Sequence, residues 1–134
     1  MFVDACAIVS MMAGENSAEA YDAALLEAAA PMTSALAAWE AIIVLSRPDQ
    51  LNCRYSEAEG AVLEWLDVRN IRLQEPDAPR KVLSLAVSVA EQHGLGRRHL
   101  SNFDCFHHAY AKAMSMPLLT LDQLLRDTDV DTLP

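Results

Sequence analysis

Asp4, Glu40, Asp104 and Asp122 are acidic side chains in surroundings that do not suit ordinary surface acids. Asp4 is the only charged residue among the first fourteen, inside the apolar run FVDACAIV. Burying an ionised carboxylate without a partner costs several kcal/mol or more. Asp4 therefore either hydrogen-bonds a neighbouring loop or meets a cation. Glu40 is the only charge between Ala35 and Leu45, and its helical neighbours Leu36, Ala37, Ile43 and Val44 are all apolar. That helix offers no polar stripe, so Glu40 faces a solvent cleft, meets a cation, or is simply exposed among small alanines. Asp104 and Asp122 have simpler explanations taken singly. An acid in a first helical turn meets the positive end of the dipole, and Asp after a strand is a common N-cap.

Together the acids suggest more. Asp4 and Asp122 lie on or just past predicted strands, and Glu40 lies in the helix after another. In open parallel sheets, sites gather at the carboxyl ends of the strands, near the switch in strand order. Carboxylates within ~4–6 Å of one another raise each other's pKa unless a cation neutralises them. Hard oxygen donors select Mg2+ or Mn2+. The expected chemistry is metal-assisted phosphoryl transfer.

These side chains must be positioned by short alternating elements. Residues 2–9 read as a buried strand, because a continuous apolar run is typical of parallel sheets. Gly14 and Asn16 mark a loop. Ser17 opens a helix to Ala30, which Pro31 ends. PMTS (31–34) forms a short strand, and ALAAWEAIIVLS forms an apolar helix ending near Arg47-Pro48. The pattern SEAE at 56–59 reads as a capping box opening a helix to Arg69. Residues 71–73 form a strand, Asp77 starts a helix to His93, and Gly94 and Gly96 stop it. A basic loop leads to Asn102, the expected N-cap of a helix through Met114. A strand from Pro117 and a short helix opened by Asp122 follow, and the tail TDVDTLP has no regular pattern. The alternation predicts an α/β fold with a parallel sheet and right-handed crossovers.

Composition limits the function classes. A chain of 134 residues with 52% apolar content is one ordinary folded domain. A net charge of -9 taken alone argues against nucleic acid, whose phosphates repel an acidic surface. It suits a basic protein partner or bound divalent cations, which reverse the sign of the local field. Cys6, Cys53 and Cys105 are an odd set without CxxC spacing, so neither a disulfide framework nor a zinc ribbon is expected, and a reducing cytoplasm is the natural setting. Neither a secretory leader nor a membrane span is expected.

The segments FVDACAIVS, TSALAAWEAIIVLSR, NFDCFHHAYAKAMSMPLLTLDQLL and the following TDV resemble the VapC group of PIN-domain ribonucleases, in order and spacing, over almost the whole chain. The resemblance implies a single PIN-like domain over 1–134, with a parallel sheet of four to five strands flanked by helices. It also implies an acidic pocket binding Mg2+ or Mn2+, an endonucleolytic cut in RNA, and a role as the toxin of a VapBC-type toxin–antitoxin pair. By position, Asp4 resembles the first metal ligand, Glu40 the second acid, Asp104 the third and a principal ligand, and Asp122 the fourth. Related sequences often carry Gly before the third acid, where Phe103 stands here. The fourth position is the most variable, and Asp129 is its alternative. One metal, or two, would activate water and clamp the scissile phosphate.

Other residues are less specific. Arg97, Arg98 and His99 could grip RNA phosphates, or form an ordinary solvated loop. Thr33, Ser34 and Thr120 could add hydroxyl contacts to substrate, although caps and turns are the commoner use. Adjacent His107 and His108 point about 100° apart on a helix and cannot make the i,i+4 zinc pair, so both read as structural or partly exposed. Cys105 is expected to pack. A haloacid-dehalogenase phosphatase needs an acid at Cys6, and a receiver domain needs paired acids after strand one and a late lysine; neither appears. A catalytically inactive PIN-like module that binds RNA or protein is the non-enzymatic alternative. The expected partners are RNA, a VapB-like antitoxin that inserts a basic segment into the acidic pocket, and a second copy in a homodimer. The apolar stretches 35–45 and 17–30 could serve either protein interface.

Overall fold

A computed structural model describes residues 1–134. Five short strands form one wholly parallel sheet: β1 (Phe2–Val3), β2 (Met32–Thr33), β3 (Arg72–Leu73), β4 (Leu118–Leu119) and β5 (Thr132–Leu133). Their order is β3-β2-β1-β4-β5. Seven helices connect and cover them: α1 (Ala5–Ala13), α2 (Ala18–Leu26), α3 (Ala35–Leu45), α4 (Tyr55–Val68), α5 (Pro79–His93), α6 (Asn102–Ala113) and α7 (Gln123–Arg126). The α/β class and the five-stranded parallel sheet agree with the sequence reading.

Side chains alternate across each strand, so the sheet feeds two cores. Val3 and Leu119 pack with Ile8, Ala41, Leu45, Val62 and Leu66 beneath α1 to α4. Phe2 and Leu118 pack with Met32, Val82, Val89, Ala109 and Leu125 beneath α5 to α7. The chain builds outward from β1 to β2 and β3, then returns to the other side with β4 and β5. The strand order therefore switches between β1 and β4, where the crevice at the carboxyl ends opens.

Several boundaries differ from expectation. The run 2–9 is not one strand: β1 ends at Val3, and Ala5 onward is helix. A short apolar run cannot separate buried strand from buried helix by periodicity. The Asp4 carboxylate is the N-cap that marks the change, accepting a bond from the Ala5 N–H at 2.7 Å. Gly14 closes α1 in the left-handed region, with φ 67°. α2 stops at Leu26, short of Ala30, and Ser17 bonds Ser10 instead of capping it. The capping box of α4 lies two residues earlier than SEAE: Glu57 accepts from the Arg54 N–H at 2.8 Å. Ser101, rather than Asn102, caps α6. The tail holds β5, whose two residues make too short a pattern to register, and its ladder to β4 defines it. No helix is long and apolar enough to cross a membrane.

Candidate metal centre

Asp4 leaves β1 at the sheet's switch point, level with Thr120 because Val3 pairs with Leu119. Its side chain is almost fully buried. Oδ1 takes the Ala5 N–H, and Oδ2 accepts from the Thr120 hydroxyl at 2.9 Å and the Cys6 thiol at 2.9 Å. The N-terminal end of α1 adds favourable dipole charge. Cys6 Sγ also lies 3.3 Å from both the Tyr21 hydroxyl and Thr120 Oγ1. Burial, then the Asp4 charge, pushes the Cys6 thiol well up, so it stays a protonated donor. Burial likewise raises the Tyr21 phenol, which accepts from the Leu121 N–H at 2.8 Å. This network ties α1 and α2 to the end of β4 and holds the Asp4 carboxylate in one orientation.

Glu40 projects from the middle of α3 toward α6. Its Oε2 lies 2.6 Å from Nε2 of His107, and a quarter of its side chain is exposed. The same Nε2 is 3.7 Å from Asp4 Oδ1. His107 is completely buried, with its ring near both Phe2 and Phe103 at centroid distances of 6.2 and 6.3 Å. Burial pulls its pKa down. The bond to Glu40 and the charges on Asp4, Glu40 and Asp104 outweigh burial and leave it raised. One ligand atom from each of Asp4, Glu40 and His107 lies within 4.8 Å of the other two.

Asp104 stands one helical turn before His107 on the same face of α6. Its Oδ2 accepts from the Ser101 N–H at 2.7 Å, and its own N–H donates to Ser101 Oγ at 3.0 Å. Burial raises its pKa. The bonds with Ser101 oppose that shift, and the charges of Asp4 and Glu40 add to it. Asp104 therefore lies within electrostatic reach of both other acids. Asp122 sits at the rim: Oδ1 caps α7 through the Leu124 N–H at 2.8 Å, and its own N–H donates to Thr120 Oγ1 at 3.2 Å.

The remaining sequence candidates separate clearly. Ser34 and Thr120 are fully buried: Ser34 Oγ accepts from the Ala37 N–H and the Thr120 hydroxyl donates to Asp4, so neither reaches a substrate directly. Thr33 bonds the Val3 carbonyl at 2.8 Å. Arg97 and Arg98 are exposed in the loop leading to Ser101. Asp129, the alternative fourth acid, precedes β5 at the amino ends of the strands, bonded to His108 at 2.8 Å and Lys112 at 3.0 Å. Sequence reasoning passed over His107. It compared the two histidines with each other, while the informative spacing was three residues from Asp104.

The PIN domain family model matches residues 1–131, and the chain belongs to the PIN domain family. A protein named Ribonuclease VapC from Mycolicibacterium smegmatis is 29% identical over 133 residues, covering 97% of each chain. Ribonuclease VapC30 of Mycobacterium tuberculosis is 27% identical over 133 residues, covering 98% of this chain and 97% of its own. The crystal structure of Mycobacterium tuberculosis VapC20, described as a sarcin-ricin loop cleaving toxin, superposes with a TM-score of 0.72 at 16% identity, covering 99% of this chain and 98% of that one.

Proposed function

We propose that this chain is a divalent-metal-dependent endoribonuclease, the toxin of a VapBC-type pair, with residues 1–134 acting as one PIN-like unit. The observation that supports the reading is the cluster of Asp4 and Glu40 around His107 at the carboxyl ends of β1 and β4, with Asp104 within electrostatic reach and no lysine or arginine bonded to any of the three acids. The donor set is carboxylate oxygen, which suits Mg2+ or Mn2+. Asp4, Glu40 and Asp104 would hold the ion, and Asp122 would complete the acidic rim. Such an ion supplies positive charge to a scissile phosphate and acidifies bound water. The protein's share is orientation: Thr120 and Cys6 fix Asp4, and Ser101 fixes Asp104. Exposed Arg97 and Arg98 would contact RNA phosphates flanking the cut.

The net charge of -9 favours a basic antitoxin segment reaching this centre. A groove of about 370 Å³ between α3 and α4, lined by Trp39, Ile42, Tyr55 and Leu63, suits the apolar part of such a VapB-like partner. A homodimer and a cytoplasmic location complete the reading.

The test is cleavage of a defined RNA by the purified chain in Mg2+ or Mn2+, in EDTA, and by Asp104→Asn. Internal cleavage that requires the ion and disappears in the variant supports the reading. Cleavage that survives EDTA, or full activity in Asp104→Asn, overturns it.

A further inference from the structure

We infer that His107 is a positioning residue: it fixes the Glu40 carboxylate beside Asp4 by donating its Nε2–H, and is not itself a ligand of the ion. The inference rests on the metal-site reading above and extends it to a residue outside the acidic set.

Nε2 of His107 faces two carboxylates, Glu40 Oε2 at 2.6 Å and Asp4 Oδ1 at 3.7 Å. An ionised carboxylate only accepts, so the 2.6 Å contact requires a hydrogen on Nε2 whether or not Nδ1 is also protonated. For Nε2 to ligate a metal it would have to release that proton and give up its bond to Glu40. The other nitrogen points to the same conclusion. Histidines that ligate a metal almost always donate their second N–H to a carboxylate, carbonyl or water. Nδ1 of His107 is buried and has no hydrogen-bond partner. Binding a metal through Nε2 would place an N–H at Nδ1 with nothing to receive it.

Glu40 needs such a partner. Its neighbours along α3 are apolar, and its only hydrogen bond is the one to His107. The long side chain would otherwise sample several rotamers at the mouth of the centre. His107 itself is confined, because the ring is fully buried and packs near both Phe2 and Phe103. With Oε2 held by the imidazole, Oε1 has no hydrogen-bond partner and would be available to an ion. Outer hydrogen-bond partners of this kind carry about 10–100-fold in metal affinity.

The experiment measures Mn2+ affinity by calorimetry for the unmodified protein, His107→Leu and His107→Gln, with the fold of each checked by NMR. The amide of Gln places an N–H near the position of Nε2, whereas Leu fills the space without a donor. His107→Leu is expected to bind Mn2+ at least about tenfold more weakly, and His107→Gln within about threefold of the unmodified protein. Pulsed EPR of the Mn2+-loaded unmodified protein is expected to show no nitrogen coupling from a bound imidazole. Ring 15N shifts of the metal-free protein are expected to show Nε2 protonated. A bound-nitrogen coupling, a bare Nε2, unchanged affinity in His107→Leu, or a Gln variant as weak as the Leu variant each overturns the inference alone. Absence of Mn2+ binding by the unmodified protein overturns the metal-site reading, and this inference with it.

Discussion

At the carboxyl ends of the strands, Asp4 and Glu40 meet at His107 with Asp104 within electrostatic reach, and their partners are hydroxyls, a thiol and one imidazole. At the amino ends, Asp129 lies against His108 and Lys112. Titration behaviour follows this difference. Burial raises the Asp104 carboxyl, and neighbouring acids add to the shift. The bond from Lys112, and then that from His108, lowers Asp129. The adjacent histidines diverge as well. His107 is raised by its acids despite its burial, while burial holds His108 below its ordinary value. Asp129 is fastened by a lysine of the protein itself. Three acids that share one imidazole and no lysine or arginine leave room for a charge brought from outside.

Exchanging carboxylate for amide at each end tests the contrast most strongly. Asp4→Asn is expected to lower RNA cleavage by about 10²-fold or more, since removing an outer partner alone costs 10–100-fold. Asp129→Asn should stay within about twofold, and a fluorogenic RNA assay compares the two. Equal losses would erase the distinction between the ends.

Metal-linked stability comes next. Mn2+ at a hundredfold excess over its dissociation constant should stabilise the folded chain by about 2.7 kcal/mol, read as a rise in melting temperature. Asp104→Asn should lose that rise while melting higher than the unmodified protein in EDTA, because it removes one of three mutually repelling charges. Asp129→Asn should keep the rise.

Thr120→Val probes the scaffold around Asp4. It removes the hydroxyl that donates to Asp4 and accepts from the Asp122 N–H. Leaving Asp4 Oδ2 with only the Cys6 thiol and the part-buried Asp122 N–H without a partner should cost about 1–3 kcal/mol in denaturant unfolding. A neutral substitution would mean that water replaces the hydroxyl.

The smallest effect is a pH slope at the amino ends. Folding holds His108 neutral below its ordinary pKa of 6.5. As pH falls through 6.5, the unfolded chain binds a proton that the folded chain refuses, so stability declines toward acid. His108→Gln should flatten that decline in melts across the mildly acidic range.

Much of this protein was legible in its residues. The apolar run around Asp4 and the isolation of Glu40 marked two acids in surroundings that do not suit a charge, because burial of charge is costly wherever the chain folds. Alternating short elements announced the parallel sheet, and Asp122 at a strand end announced the cap of α7. What failed depended on contacts distant in sequence. The run 2–9 split into β1 and α1 because a parallel ladder with β2 and β4 fixes only its first two residues. Thr120 and Ser34 could be read either as substrate contacts or as caps and turns until the fold buried both. His107 meets its partner on α3, 67 residues away, and Asp129 is bonded to Lys112 on α6. Sequence alone determined which side chains were too costly to bury uncompensated. Tertiary structure decided which of them share a centre, because convergence at the strand ends is set by strand order and register rather than by any local pattern.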